Sequence, residues 1–371
     1  MFQSKYKQND VLNNRLPLFG LLFLCGILYL GFVVNYWFLL FLLLFPFSFK
    51  WQKINQKQVV LLVGILVVFI ILIIMANQFS LIDLIVSLLN RCGVGVIKKS
   101  AINYLDRIYD QEIADFIKLV LFNIKSNNTW FFYKQTVDLG IVWLICVSGF
   151  HISLLAKVIK KIFTRAPRIG KYVSIVVISL YSLLLDFSYA SIRILLRLCL
   201  DWTFRKFNLQ RYNRLGAIGL IICLLNPLCF TSYSFLLSFL VCSSSYFVIG
   251  LNFNNKIVTS IVINIMAFLV TIPFVIAMNH KISLLTFLNA FIFTYCSSFV
   301  FLYLLIFAWI PFMSIIHYGI MIASYVLIGN ISFSNIFIYS NEWPIWIIFI
   351  YYALFFVVTK VVYLIVINNK I

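Results

Sequence analysis

The sequence predicts an all-α fold: a polytopic helical membrane protein with about 12 transmembrane helices. Three observations predict it. Of the 371 residues, 64% are hydrophobic and only 11% are charged, against roughly 25% charged in a soluble domain. The apolar residues fall in runs of about 15–25, long enough to cross a hydrocarbon core as helices. The basic residues gather between those runs, as they do in cytoplasmic loops. No water-facing surface can be built from this composition. A soluble enzyme, a disordered chain and a disulfide scaffold are therefore excluded.

The first apolar stretch, residues 16–49, would make a straight helix of roughly 50 Å, too long for a core of about 30 Å. A break at Gly31 to Asn35 divides it into spans at 16–33 and 36–49. The N-terminus carries Lys5, Lys7 and Arg15 but no small-residue cleavage signature, so 16–33 reads as a first span rather than a removed signal. Lys50, Lys53 and Lys57 follow, then a span near 58–76. Later spans are predicted at 138–156, 172–186, 188–204, 215–230, 233–251, 257–278, 283–308, 312–330 and 343–365. The two short spans in 172–204 share the turn Asp186-Phe187-Ser188, and Pro311 and Gly319 blur the ends within 283–330.

With the N-terminus inside, the clusters Lys157 to Lys171 and Arg205 to Arg214 face the cytoplasm, as do Lys256 and Lys370. Among the short loops only Lys281 lies outside. Both termini are then cytoplasmic in the cell membrane, and most of the formal net charge of +19 follows from topology. The chain divides into N-terminal spans at 1–77, an outside segment at 78–136, and a transmembrane channel domain at 137–371. The outside segment holds half of all the acids: Asp83, Asp106, Asp110, Glu112 and Asp115. Within it, apolar positions from Ile102 to Val120 recur near helical spacing, which predicts an amphipathic helix over 101–122 lying on the membrane or the bundle.

Polar groups inside spans are costly and mark candidate sites. Asp138 and the run Ser148-Gly149-Phe150-His151 form the first cluster. Ser148 and His151, three apart, share a helix face, and Gly149 permits close backbone approach. Packing and function stand as equal readings here. The second cluster is Tyr189, Arg193, Arg197 and Asp201, at i+4 spacing along one face. Either Arg197 pairs with Asp201 while Arg193 reaches the outer surface, or the arginines face a polar cavity that handles an anion. The third comprises Asn226-Pro227, Ser232, Ser234, Ser238 and Ser243 to Ser245, where close helix packing is the favoured reading. His280 and His317 are isolated near span ends. Seven of the eight cysteines lie in apolar runs, and no metal-ligand spacing occurs. Walker, HExxH and GxSxG motifs are absent. The chain is read as no enzyme, with no cofactor and no metal.

At these clusters the sequence resembles the membrane channel domain of the ComEC family, the DNA-uptake channel of competent bacteria. Gly140 to Ile152, containing Ser148-Gly149-Phe150-His151, is similar to that family's G-L-x-H-L-L-x-x-S-G-L-H-I segment. Phe187-Ser188-Tyr189-Ala190-Ser191-Ile192-Arg193 resembles F-S-P-S-x-x-R. Asn226-Pro227 with Ser234 to Leu240 resembles N-P…G-F-Q-L-S-F-L, and Thr271-Ile272-Pro273 with Ile282 to Asn289 resembles a later T-L-P…L-S-L-L-x-x-L-N pattern. Trp143 replaces a histidine, Tyr189 a proline, and Ser234 and Leu236 a glycine and a glutamine. Full-length members also carry an OB-like and a metallo-β-lactamase-like domain, for which this sequence has neither the loop nor the H-x-H-x-D-H ligands. The resemblance implies a channel-only member that translocates single-stranded DNA, in contact with membrane lipid, with a separate nuclease and other uptake proteins as partners. Together with intramembrane polarity it assigns the DNA path to Ser148, Gly149, His151, Arg193, Arg197 and Ser238. Without the resemblance, a transporter of a small anionic molecule or lipid is an equal reading, and a scaffold without transport is a third. Oligomeric state is not encoded legibly.

Overall fold

The computed structural model describes residues 18–30, single positions between 34 and 71, and residues 94–141, 148–253, 255–341 and 343–368. The spans expected at 36–49 and 58–76 lie largely outside the described residues, and Trp143 lies outside them. In chain order the helices are α1 (Leu18–Tyr29), α2 (Val94–Ile108), α3 (Gln111–Phe122), α4 (Asn127–Asp138), α5 (Gly149–Ile162), α6 (Pro167–Leu184) and α7 (Tyr189–Cys199). They continue as α8 (Asp201–Lys206), α9 (Arg211–Leu225), α10 (Tyr233–Gly250), α11 (Lys256–Asn279), α12 (Thr286–Phe307), α13 (Ser314–Phe333) and α14 (Ile345–Asn368). One two-stranded antiparallel ribbon pairs β1 (Lys281–Ser283) with β2 (Phe337–Tyr339), Ile282 opposite Ile338.

Among the described residues, five helices are long and apolar enough to cross a membrane: Pro167–Leu184, Tyr233–Gly250, Lys256–Ala277, Thr286–Phe307 and Pro311–Phe333. The protein is thus an all-α membrane protein. Several expected spans are interrupted, each for a local reason. Within 138–156, α4 ends at Asp138, a turn follows at Leu139-Gly140, and α5 begins after its N-cap Ser148. The stretch 188–204 breaks at Leu200 into α7 and α8, and 215–230 breaks at Asn226, whose side chain caps the 3-10 turn Pro227–Thr231. Pro227 withholds the N–H that would continue α9, and asparagine offers the backbone an alternative acceptor. By contrast α13 runs unbroken through Gly319.

The helix expected over 101–122 is two helices, broken at Tyr109-Asp110. It does not lie with one face outward. Every residue of α3 from Ile113 to Phe122 is buried. The apolar spacing that predicts an amphipathic helix leaves Asp115 and Lys118 within the buried run. The structure buries both by pairing them: Lys118 Nζ bridges Asp106 and Asp115 at 2.7 Å each. Asp115 also accepts hydrogen bonds from Gln111 (3.1 Å) and Asn128 (2.9 Å). A fully partnered ionic group tolerates burial that a lone one would not.

The chain forms two compact units. In the first, residues 1–82, 200–274 and 342–371, α1 packs closely on α9. A Cβ at Gly216 would sit 2.3 Å from the Phe19 backbone nitrogen, so only glycine allows this approach. Pro273 lies inside α11 and has no N–H to give the Leu269 carbonyl one turn back. The Tyr351 hydroxyl of α14 donates to that carbonyl at 2.6 Å, and Tyr352 donates to Val270 at 2.7 Å. A backbone acceptor that the proline frees within a span is thereby satisfied.

The second unit comprises residues 83–199 and 275–341. Its core gathers around α3. Phe132 of α4 stacks on Tyr325 of α13 (4.4 Å between ring centroids) and meets Phe116 edge-on (5.9 Å). Tyr181 of α6 donates to the Leu121 carbonyl at 2.7 Å. At one end of the unit, Asp138 pairs with Lys281 at 2.6 Å, and Thr286 donates to the Leu139 carbonyl at 3.1 Å. The lone lysine outside in the expected topology is thus an ion-pair partner.

Candidate functional site

The site is built where α5 and α7 begin. Ser148 is the N-cap of α5 in extended conformation, and its Oγ accepts from the Phe150 N–H at 3.3 Å. The Ser148 N–H donates to His151 Nδ1 at 3.3 Å, which closes a capping box. With Nδ1 accepting, the neutral ring carries its proton on Nε2. His151 is fully buried, and its ring packs on Phe301 with centroids 4.7 Å apart. The three-residue spacing that suggested a shared face therefore serves helix initiation.

Helix α7 starts after a strained turn. Asp186 and Phe187 both hold positive φ, 50° and 51°, a conformation that costs roughly 1–3 kcal/mol per non-glycine residue and persists only when the surroundings impose it. Two contacts impose it. The Asp186 carboxylate pairs with Lys98 of α2, and the Phe187 N–H donates to the Ser182 carbonyl at 2.9 Å. Ser188 then accepts from the Ser191 N–H at 3.4 Å, and the Ser191 hydroxyl donates back to the Ser188 carbonyl at 2.7 Å.

The two helix starts meet at Gly149. A Cβ there would lie 2.6 Å from Arg193 Nη2 and 3.6 Å from the Ala190 Cβ. Arg193 is only 8% exposed. Two helix N-termini and a guanidinium thus share one small buried region. N-termini carry partial positive charge, so the two helix starts and the guanidinium bring like-signed charge to one point. In a low-dielectric setting each of these charges acts strongly.

Of the residues assigned from the sequence, Ser148, Gly149, His151 and Arg193 come together. Arg197 does not join them: it is exposed one turn further along α7. The pairing of Arg197 with Asp201 is not formed either, because Asp201 pairs with Arg205 at 2.8 Å. Asp201 opens α8, and Arg205 lies one turn on, the geometry that i,i+4 pairs favour. Ser238 belongs to the first unit, on α10. Downstream of it, Ser243, Ser244 and Ser245 bond carbonyls of their own helix at 2.7–3.0 Å. His280 sits in a turn at φ 55°, and His317 is buried against Tyr109 and Tyr303.

Sequence reasoning missed the Asp106–Lys118–Asp115 group. Burial works to raise the Asp115 carboxyl, but bonds from Lys118, Ser126 and Asn128 outweigh it and hold the group below its ordinary value. Burial likewise works to lower Lys118, and the two carboxylates overcome this and hold its ammonium above the usual lysine value. The i,i+3 spacing of Asp115 and Lys118 was the available signal. Among the described residues no group of three or more His, Cys, Asp and Glu side chains is placed to hold a metal.

Fold and site together define a helical membrane protein in which a buried arginine of α7 lies against the start of α5. The chain belongs to the Competence protein family, which it matches over residues 125–364. The chain is 27% identical over 198 residues to the Mycoplasma pneumoniae protein described as "Uncharacterized protein MG316 homolog", covering 52% of this chain and 51% of that one. It is 28% identical over 152 residues to "Uncharacterized protein MG316" of Mycoplasma genitalium, covering 41% and 40%. The aligned stretches thus span about half or less of these relatives. No solved structure matches.

Proposed function

We propose that this protein is a channel for single-stranded DNA in the cell membrane, with both termini cytoplasmic and about 12 spans as the sequence predicts. The observation that supports it best is the seat of Arg193 on Gly149, between the starts of α5 and α7. A phosphodiester strand crossing a membrane needs fixed cations in a wet path, with small groups that let it pass. Arg193 supplies the cation, and Gly149 lets its guanidinium lie against the start of α5. Ser148 and His151 fix the start of α5 beside that point by capping it. The chain itself performs no covalent chemistry in this reading, and a separate nuclease supplies the single strand.

The test is uptake of labelled DNA by cells carrying the wild-type chain, Arg193→Gln or Arg193→Lys. Arg193→Gln is expected to abolish uptake while the protein still inserts and accumulates. Arg193→Lys is expected to keep part of it, since charge survives but the planar donor fork does not. Undiminished DNA uptake with Arg193→Gln overturns the reading. If the same cells instead lose accumulation of a small organic anion or a lipid, the transporter reading replaces it.

A further inference from the structure

Helix α4 has an outward face that neither the core nor the Arg193 site uses. Its inner residues Thr129, Phe132 and Thr136 are buried, and Phe132 is locked in the aromatic stack with Tyr325. On the other side Trp130 is 55% and Phe131 68% exposed. This is no span surface: the helix is 12 residues long, and its exposed neighbours are Asn127, Asn128 and Lys134. From Asn123 to Val137 the chain holds two lysines, Lys125 and Lys134, and no acid. Tyr133 fixes the arrangement from beneath. Its ring takes Lys125 Nζ at 3.9 Å and lies 6.0 Å from the Trp130 ring. The cation and the indole are therefore ordered before any partner arrives, which lowers the entropy lost on binding.

We propose that this face is a landing platform for single-stranded DNA, where bases stack on Trp130 and Phe131 while Lys125 and Lys134 meet phosphates. The proposal rests on the DNA-uptake reading and gives the incoming strand its first contact. Flat π surfaces alternating with cations match an unpaired strand, whose bases are free to stack. They do not match a duplex, whose bases already are stacked. A bilayer headgroup layer would also receive tryptophan and lysine. The exposed Asn127 favours the strand, because it adds an amide able to bond a base edge on the same face.

The experiment measures binding of a labelled oligothymidylate to the full chain in phosphatidylcholine nanodiscs. Trp130→Ala with Phe131→Ala should weaken binding at least about tenfold, the loss expected for even one stacked base. An abasic strand of equal length should bind the wild-type chain as weakly as the double variant binds oligothymidylate. Trp130→Tyr with Phe131→Tyr should retain most of the affinity, which separates stacking from misfolding. Lys134→Gln should weaken both strands alike. Oligothymidylate binding unchanged in the double alanine variant, as a headgroup anchor would give, overturns the platform. So does an abasic strand that binds as tightly as the normal one. If uptake in cells still depends on Arg193 after either result, only the platform fails; a wild-type chain without uptake fails the transport reading instead.

Discussion

Replacing Gly149 by alanine adds one methyl group where the structure leaves none. The new Cβ would stand 2.6 Å from Arg193 Nη2, whereas its next contact, with the Ala190 Cβ, is an ordinary 3.6 Å. One neighbour must therefore move, by roughly 1 Å, to reach a normal carbon–nitrogen separation. That neighbour is the free end of a long side chain, not backbone. Overpacking costs about 1–3 kcal/mol, and alanine returns part of that through a helix preference up to about 1 kcal/mol better than glycine. The net effect on stability is small, about 1 kcal/mol, and the protein should insert and accumulate close to wild-type levels. The displaced guanidinium, however, no longer sits between the starts of α5 and α7. DNA uptake should fall nearly as far as with Arg193→Gln. Quantitative blotting of membranes alongside uptake of labelled DNA reads both effects. Wild-type uptake with Gly149→Ala would show that the seating of Arg193 against α5 is irrelevant to transport.

Tyr351→Phe should leave the Leu269 carbonyl beside Pro273 without its donor, destabilising the purified protein by about 1–3 kcal/mol; thermal unfolding in detergent reads this, and an unchanged midpoint contradicts the role given to that bond. Lys118→Met strands two carboxylates, one of them fully enclosed, and should cost about 3–5 kcal/mol and lower abundance, while Lys118→Met with Asp106→Asn and Asp115→Asn should recover much of it. The pH dependence follows from the directions at Asp115 and Lys118. Asp115 is held below its ordinary value, so its stabilisation is complete above the usual carboxylate range and is lost as pH falls through the lowered value. Lys118 is raised, so its contribution is complete below the usual lysine value and is lost only as pH rises through the raised one. Unfolding midpoints should accordingly be flat across neutral pH and drop on both sides, and Asp115→Asn should soften the acid limb; an identical acid limb in the variant contradicts this.

The membrane class and most helix positions were legible because length, composition and apolar runs carry them. The turn at Asp186-Phe187-Ser188 was placed correctly, and the strain found there explains why two short helices need a fixed corner. Ser148 and His151 were singled out for a shared face, whereas the structure uses the same spacing to cap α5. Two meanings of one i+3 interval cannot be separated without knowing where the helix begins. The meeting of Gly149 with Arg193, 44 residues apart in sequence numbering, has no periodic signature at all. Both were flagged individually, but only tertiary packing joins them. The burial of α3 was hidden because its two charged residues look solvated until Asp106 and Asn128 are seen beside them. In the same way, Lys281 stood out as a topological exception, and its partner Asp138 supplies the reason.

The central claim is that DNA passes the point where α5 and α7 begin. A photoreactive benzoylphenylalanine in place of Tyr189, the first residue of α7, reports on that point directly. A second probe at Tyr295, 68% exposed on the span α12, reports on surroundings away from it. Cells would be illuminated during uptake of labelled single-stranded DNA, and protein–DNA adducts counted. The account predicts adducts at position 189, reduced by Arg193→Gln, and none above background at position 295. Uptake that proceeds without adducts at 189, or with equal adducts at both positions, would contradict it.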